Sequence, residues 1–296
     1  MKGLKGWVRR HESQIKELKY TGFLIRRNTL IITGFVIVGV MVALGILAPF
    51  IAPYDPTDMQ FSQRLLPPSA KHLLGTDSDG MDIFSRIVYG IRLDLLIAIT
   101  VILMVGVFGT VLGVFSGYYG GRLDEVTMRI ADIFLSFPYL LLAMAIAAVL
   151  GPSIFHSIIA ISVTWWPIYA RLARGATLSV KEREFVEASR ALGESNLYII
   201  FRHILPNVIA PLLVQATLDM GNVILEAAAL SFIGLGAQPP QPELGLMISV
   251  GRNFMRDYWW VATFPGITIL IIVLGFNLMG DGLRDLLDPK VRRSLL

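Results

Sequence analysis

The chain has 296 residues, of which 54% are hydrophobic and 16% charged, with a formal net charge of +4 and a mean hydropathy of +0.64. Soluble domains carry about 25% charged residues, so this composition excludes a protein wetted on all sides and identifies a bilayer protein. The absence of cysteine excludes disulfides, thiolate catalysis and cysteine-ligated metal sites, and leaves the compartment open.

Residues 1–28 are basic, and the spacing of Trp7, Val8, Ile15 and Leu18 predicts an amphipathic helix on the cytoplasmic surface. The apolar run that follows is about twice the usual signal h-region, and no A-x-A site follows it, so it reads as an uncleaved anchor. A span needs about 20 apolar residues. Nothing is charged between Arg27 and Asp55, which predicts a first transmembrane helix over 29–51. Residues 52–93 form an external loop. Its carboxylates Asp77, Asp79 and Asp82 do not fit a calcium loop, because Gly80 comes fourth where the sixth position is required. His11, His72, His156 and His203 lie in four separate segments without metal-ligand spacing, so no metal site is expected.

Residues 94–281 form a core of five further spans. The second runs from about Leu95 to Gly117 and carries Gly109, Gly113 and Gly117 at intervals of four. Such a stripe permits close backbone approach, either within the chain or at a seam with another subunit. The uncharged run Ile133–Ala170 is broken by Gly151-Pro152-Ser153, which predicts a third span Ile133–Leu150 and a fourth Ile154–Tyr169. The fifth, Val208–Leu235, contains Asp219 and Glu226, seven apart and therefore on one face. Charges inside a span face protein or a water-filled path. Asp219 thus either lines a translocation path, where it would meet a cationic group, or packs against another helix, and Glu226 is a structural or gate-packing candidate. The sixth span is Val261–Gly280, and 282–296 is a tail.

Six crossings place both termini on one side. With that side cytoplasmic, only Arg64, Lys71, Arg86, Arg92, Arg252 and Arg256 fall outside, and every other lysine and arginine falls inside, as the positive-inside rule requires. The pI of about 9.4 expresses this asymmetry and argues against a nucleic-acid partner.

The cytoplasmic loop 171–206 is the most informative stretch. Phe185, Ala188, Ala191 and Leu192 make one apolar helical face, Gly193 permits a reversal, and Leu197, Ile200, Phe201 and Ile204 predict a second helix running up to Leu205-Pro206. An apolar-faced hairpin of this kind is a docking element for a partner with a matching groove.

Glu187-Ala188-Ser189, then Ala191-Leu192-Gly193, and Leu205-Pro206 resemble the EAA signature of ABC importer permeases. Ser189 stands where the family has a second alanine, and His203 where isoleucine is usual. The resemblance extends through His72 to Asp77, Ser85-Arg86, Gly90, Arg92, Gly117-Tyr118, Gly120-Gly121, Met128-Arg129, Asp132, Phe137-Pro138, Gly151-Pro152-Ser153, Arg202 to Asn207 and Gly234-Leu235-Gly236. With Phe264-Pro265-Gly266 and Phe276 to Asp285, it is similar to the C-type subunit of the dipeptide/oligopeptide permease family, in which Met81 replaces a commoner arginine.

The resemblance implies an all-α ABC type I importer permease fold of six transmembrane helices in the cytoplasmic membrane of a prokaryote. It implies a heterodimer with a second, homologous permease, two cytoplasmic ATPase subunits, an extracytoplasmic solute-binding protein and surrounding lipid. Glu187, Ala188, Ser189, Ala191, Leu192, Gly193, Leu205 and Pro206 would form the ATPase-docking element. Gly75, Thr76, Asp77, Asp79 and Asp82 would contact the binding protein. The chain lacks a G-x-x-x-x-G-K-[ST] loop, so ATP and magnesium are expected on the partner ATPases and no cofactor on this chain. It also lacks G-x-G-D and H-E-x-x-H, which argues against an intramembrane hydrolase, while a channel or secondary transporter would need no docking loop. Peptides are the leading cargo, with oligosaccharides or a nickel complex as alternatives.

Overall fold

The computed structural model describes residues 29–287. The surface helix expected in residues 1–28 and residues 288–296 of the tail lie outside the described residues. The described residues form a helical bundle, and the one extended pairing among them is an isolated bridge between Thr76 and Asp82.

Helix α1, Thr29–Ile51, is uncharged throughout. It lies against α10, Trp260–Leu287, where a Cβ on Gly34 would sit 2.8 Å from the Leu278 carbonyl carbon and one on Gly275 would sit 3.2 Å from Ile37 Cβ. Small residues replace side chains here because hydrocarbon supplies no hydrophobic drive between helices, and close packing must hold them. Helix α2, Ile83–Tyr119, is started by Asp82, whose carboxylate accepts from Ser85 N at 2.8 Å, and stopped by Gly120 at φ 66°. Its Gly109, Gly113 and Gly117 all press on α5, Ile154–Lys181: a Cβ on Gly109 would lie 2.6 Å from Trp166 O, one on Gly113 2.8 Å from Ala173 Cβ, and one on Gly117 3.0 Å from Arg174 O. The glycine stripe is therefore internal packing.

The third span differs from the expected Ile133–Leu150. Helix α3, Gly121–Leu135, ends before Ser136-Phe137-Pro138, and α4, Tyr139–Leu150, sets off at 87° to it. Pro138 has no N–H to give and pushes Phe137 out of helical geometry, so the helix stops and turns there. The 12 residues of α4 rise about 18 Å, short of the about 30 Å of a bilayer core. The fourth span is longer than expected. Helix α5 continues past Tyr169 to Lys181, whose Nζ donates to Gly117 O at 3.1 Å at the end of α2.

Beyond α5 come α6, Glu184–Ala191, and α7, Asn196–Ile199, followed by a π turn, Ile200–Ile204, that leads into α8, Leu205–Phe232. Helix α9, Leu244–Gly251, is capped by Glu243, which accepts from Gly245 N at 3.1 Å and Leu246 N at 2.6 Å. Among the described residues, α1, α2, the run Asn196–Phe232 and α10 are long and apolar enough to cross a membrane, and α3 with α4 makes a fifth if the bent pair is one span. Helix α5 falls outside that set because Ser157, Ser162, Thr164, Trp165, Trp166 and Tyr169, all buried, replace the apolar girdle that a lipid-facing helix needs.

Local contacts divide the bundle into two poles. At one, Ser153 N donates to Leu235 O at 3.3 Å, and Arg86 joins the 52–82 segment to Pro240 and Gln241. At the other, α2 ends beside Lys181 and Asn196. The bent pair α3–α4 starts at the second pole and finishes at the first.

Candidate functional site

The hairpin at the second pole is built by three devices. Arg183, in extended conformation, precedes α6. Gly193 at φ 79° reverses the chain, with its N–H on Arg190 O at 2.9 Å. Ser195 then starts α7 by accepting from Tyr198 N at 3.3 Å. Tyr118, in the last turn of α2, fixes the hairpin to the bundle: its hydroxyl donates to Asn196 Oδ1 at 2.8 Å, and the Arg190 guanidinium lies 5.4 Å from its ring centre. Val186 and Ser189 turn inward and are buried. Phe185, Glu187, Ala188, Ala191 and Gly193 are exposed, and Leu192 is 81% exposed. The expected apolar face thus points away from the bundle.

The structure places the other residues of this region as follows. Ser189 is 4% exposed and turns toward the inside of the hairpin. The second helix is present but changes from α over Asn196–Ile199 to a π turn over Ile200–Ile204, with Ile200 and Ile204 buried and Leu197 and Phe201 exposed. Leu205 and Pro206 stand apart from the hairpin tip, at the root of α8, where a proline costs no helical hydrogen bond.

The two intramembrane carboxylates both turn toward α5. Trp165 Nε1 donates to Glu226 Oε2 at 2.6 Å, and Glu226 is buried. Asp219, also buried, accepts from Gln215 Nε2 at 2.9 Å, with the Tyr169 hydroxyl and Asn222 side chain close by. One oxygen of each carboxylate has no hydrogen-bond partner among the described residues. Trp165 and Tyr169 are one turn apart on α5, as Asp219 and Glu226 are two turns apart on α8, so a polar seam runs between these helices. Tyr169 also lines an apolar cleft of about 360 Å³ between α2 and α8, walled by Val107, Leu212 and Ala216 among others.

The external carboxylates lie at the first pole. Asp82 caps α2 and also meets His72 Nδ1 at 2.9 Å. Asp77 accepts from Asp79 N and Met81 N, both at 2.9 Å, and faces Arg86 Nε at 3.4 Å. Burial pushes the Asp77 carboxyl above the ordinary range, against the opposing pull of the Arg86 guanidinium. Thr76 donates to Gln63 O at 2.5 Å, and Gly75 at φ 81° packs beneath Trp260. Gly75, Thr76, Asp77 and Asp82 are all buried within the chain, and of the five, Asp79 alone is partly exposed.

Sequence reasoning missed the hub of this region. Arg86 donates to Pro56 O at 2.8 Å, Pro240 O at 3.2 Å and Gln241 O at 3.3 Å. An arginine four residues after an acidic turn was a signal, but its carbonyl partners about 30 and 154 positions away leave no local trace. Asp94 and Glu243 were also missed. Both are buried and lie close enough to interact.

Comparison with known proteins places these features. The model of the family "Binding-protein-dependent transport system inner membrane component" matches residues 109–293, and that of the "N-terminal TM domain of oligopeptide transport permease C" matches residues 24–68. The chain is 46% identical over 279 residues to the probable D,D-dipeptide transport system permease protein DdpC of Escherichia coli K12, covering 93% of this chain and 94% of that one. It is 48% identical over 268 residues to the dipeptide transport system permease protein DppC of Alkalihalophilus pseudofirmus, covering 90% and 88%. Among solved structures, inward-facing MetNI methionine ABC transporter matches with a TM-score of 0.56 at 20% identity, over 70% of this chain and 98% of that one. The last likeness bears on the fold alone.

Proposed function

The chain belongs to the binding-protein-dependent transport system inner membrane components, and from that premise we propose that it carries dipeptides or oligopeptides inward as one half of a two-permease channel. It is a multi-pass inner-membrane permease subunit of an ABC importer, itself non-catalytic, and its family implies ATPase and binding-protein partners. Peptide cargo rests on the names of the relatives, several of which are dipeptide permeases. Oligosaccharides or a nickel complex are the alternative cargo for the same machinery.

Six crossings follow if α5 and the bent pair α3–α4 each traverse the bilayer. The pole bearing the hairpin then faces the cytoplasm together with both termini, and residues 52–82 face outward. In this reading 1–28 is a cytoplasmic segment, 29–51 the first span, 52–93 the external region, 94–281 the core and 282–296 the cytoplasmic tail. The second permease is a homologous chain, and ATP and magnesium are held by two ATPase subunits.

The observation that carries the mechanism is the hairpin tip. An exposed leucine, phenylalanine and alanine on a short helix anchored to α2 by Tyr118 suit a rigid lever seated in an ATPase groove. Glu187, Ala188, Ala191, Leu192 and Gly193 form that surface, with Ser189 supporting it and Leu205-Pro206 passing its displacement to α8. The polar seam of Asp219 and Glu226 against α5 would be the gate that this displacement opens. Co-purification from native membranes tests the assignment. Two ATPases, a second permease and a peptide-loaded binding protein are the expected partners; recovery of the chain without an ATPase would overturn it, and a retained sugar or metal complex would reassign the cargo.

A further inference from the structure

The two positions at which the hairpin departs from the general EAA signature, Ser189 and His203, converge on a single side chain, Glu194. The Ser189 hydroxyl donates to Glu194 Oε2, and His203 Nε2 lies 3.5 Å from the same oxygen. The backbone closes the same loop, with Glu194 N on Ser189 O at 3.3 Å. His203 is further boxed in by aromatic rings, its centroid 6.1 Å from Phe185 and 5.9 Å from Tyr198. Ser189 belongs to α6, Glu194 to the reversal after Gly193, and His203 to the π turn that leads into α8. One carboxylate therefore ties the helix carrying the docking face to the root of the helix carrying Asp219 and Glu226.

The tie is placed where the hairpin most needs one. A Cβ on Gly193 would meet open space, so no packing at the reversal itself fixes the angle between α6 and the π turn; the carboxylate of Glu194 bridges it directly, beside the Phe185–His203 ring contact. The π turn is itself a point of altered register, and such turns are frequent at functional sites. A pivot without a brace would let α6 move while α8 stayed still.

We propose that Glu194 is a positioning residue for energy coupling, a strut that makes α6 and the base of α8 move as one body when the ATPases close. Ser189 and His203 are its two footings, and the joint presence of serine and histidine in place of alanine and isoleucine is the mark of the strut. This inference rests on the docking assignment above and adds to it the residue that transmits the movement.

The experiment uses the complete importer reconstituted in proteoliposomes, with ATP hydrolysis measured with and without its binding protein, purified from the native host with whatever solute it retains. In E194Q and in H203I the stimulation by the binding protein is expected to fall on the order of fivefold, the low end of an inter-site coupling, while basal hydrolysis and ATPase retention stay at the wild-type level. E194D, which keeps the charge, is expected to recover part of the loss, and S189A combined with E194Q to add nothing to E194Q alone. H203I introduces the isoleucine of the general EAA signature, and an unchanged unfolding midpoint in detergent is the control that the hairpin stays folded. Wild-type stimulation in both E194Q and H203I would overturn the proposal. L192D separates the two readings: if it leaves the ATPases bound, the docking assignment itself fails, whatever Glu194 does.

Discussion

Trp165 and Glu226 show what a buried polar contact demands of a single side chain. Among the described residues, the indole N–H is the one hydrogen-bond donor that reaches the Glu226 carboxylate, at 2.6 Å. Trp165→Phe keeps the ring and removes the donor, and should lower stability by about 1–3 kcal/mol, the cost of an unsatisfied buried group, read as a drop in the unfolding midpoint in detergent. Asp219→Asn is the complementary case. Asparagine keeps an acceptor for Gln215, so assembly should persist while peptide uptake falls by about tenfold if the charge acts in the gate; unchanged uptake would make Asp219 a packing residue. Arg86→Met should cost about 3–5 kcal/mol, because it leaves the Asp77 carboxylate and three backbone carbonyls without their cation. Its signature is faster proteolytic cutting within residues 52–82 in right-side-out vesicles.

At the scale of helices, the contact between α2 and α5 depends on absent side chains. Gly113→Leu would drive a branched side chain into Ala173, whose Cβ lies 2.8 Å from the position of even the first added carbon. Overpacking of this kind costs about 1–3 kcal/mol or more, and loss of the folded monomer in detergent chromatography is the expected result. The hairpin behaves oppositely, since Leu192 at its tip is 81% exposed. Leu192→Asp should therefore leave the unfolding midpoint unchanged and abolish ATPase co-purification. The bend between α3 and α4 belongs to this scale too. A proline two residues past an apolar helical pattern was visible at 138, yet the uncharged run from Ile133 hid it, because hydropathy counts charges and is blind to direction.

For the whole molecule, the natural absence of cysteine makes topology directly measurable. Single cysteines at Ser69 and Pro152, both exposed, should react with a membrane-impermeant maleimide from outside intact cells, and one at Ala188 only after the membrane is opened. Labelling at Pro152 is the sensitive test of the six-crossing arrangement. If the 12-residue α4 failed to cross, Pro152 would stay unlabelled from outside, and the chain would make fewer crossings.

The amino-acid sequence by itself determined the environment, the helical class and the family, because hydropathy and charge asymmetry are sums over residues and motifs are local strings. It located the hairpin of α6 and α7 for the same reason: Gly193 and the apolar positions of α6 act within one turn of themselves. It anticipated Asp219 and Glu226 as exceptions, since a charge in an apolar run is conspicuous wherever the chain folds. Only the tertiary structure decided that Gly109, Gly113 and Gly117 serve α5, that Ser189 faces inward, and that Asp77 and Asp82 hold the external region together. Each of those outcomes depends on which distant segment arrives at the other side. A glycine's neighbour, a carboxylate's partner and a serine's direction are properties of pairs of helices, set by packing across many residues of chain, and no local pattern encodes them.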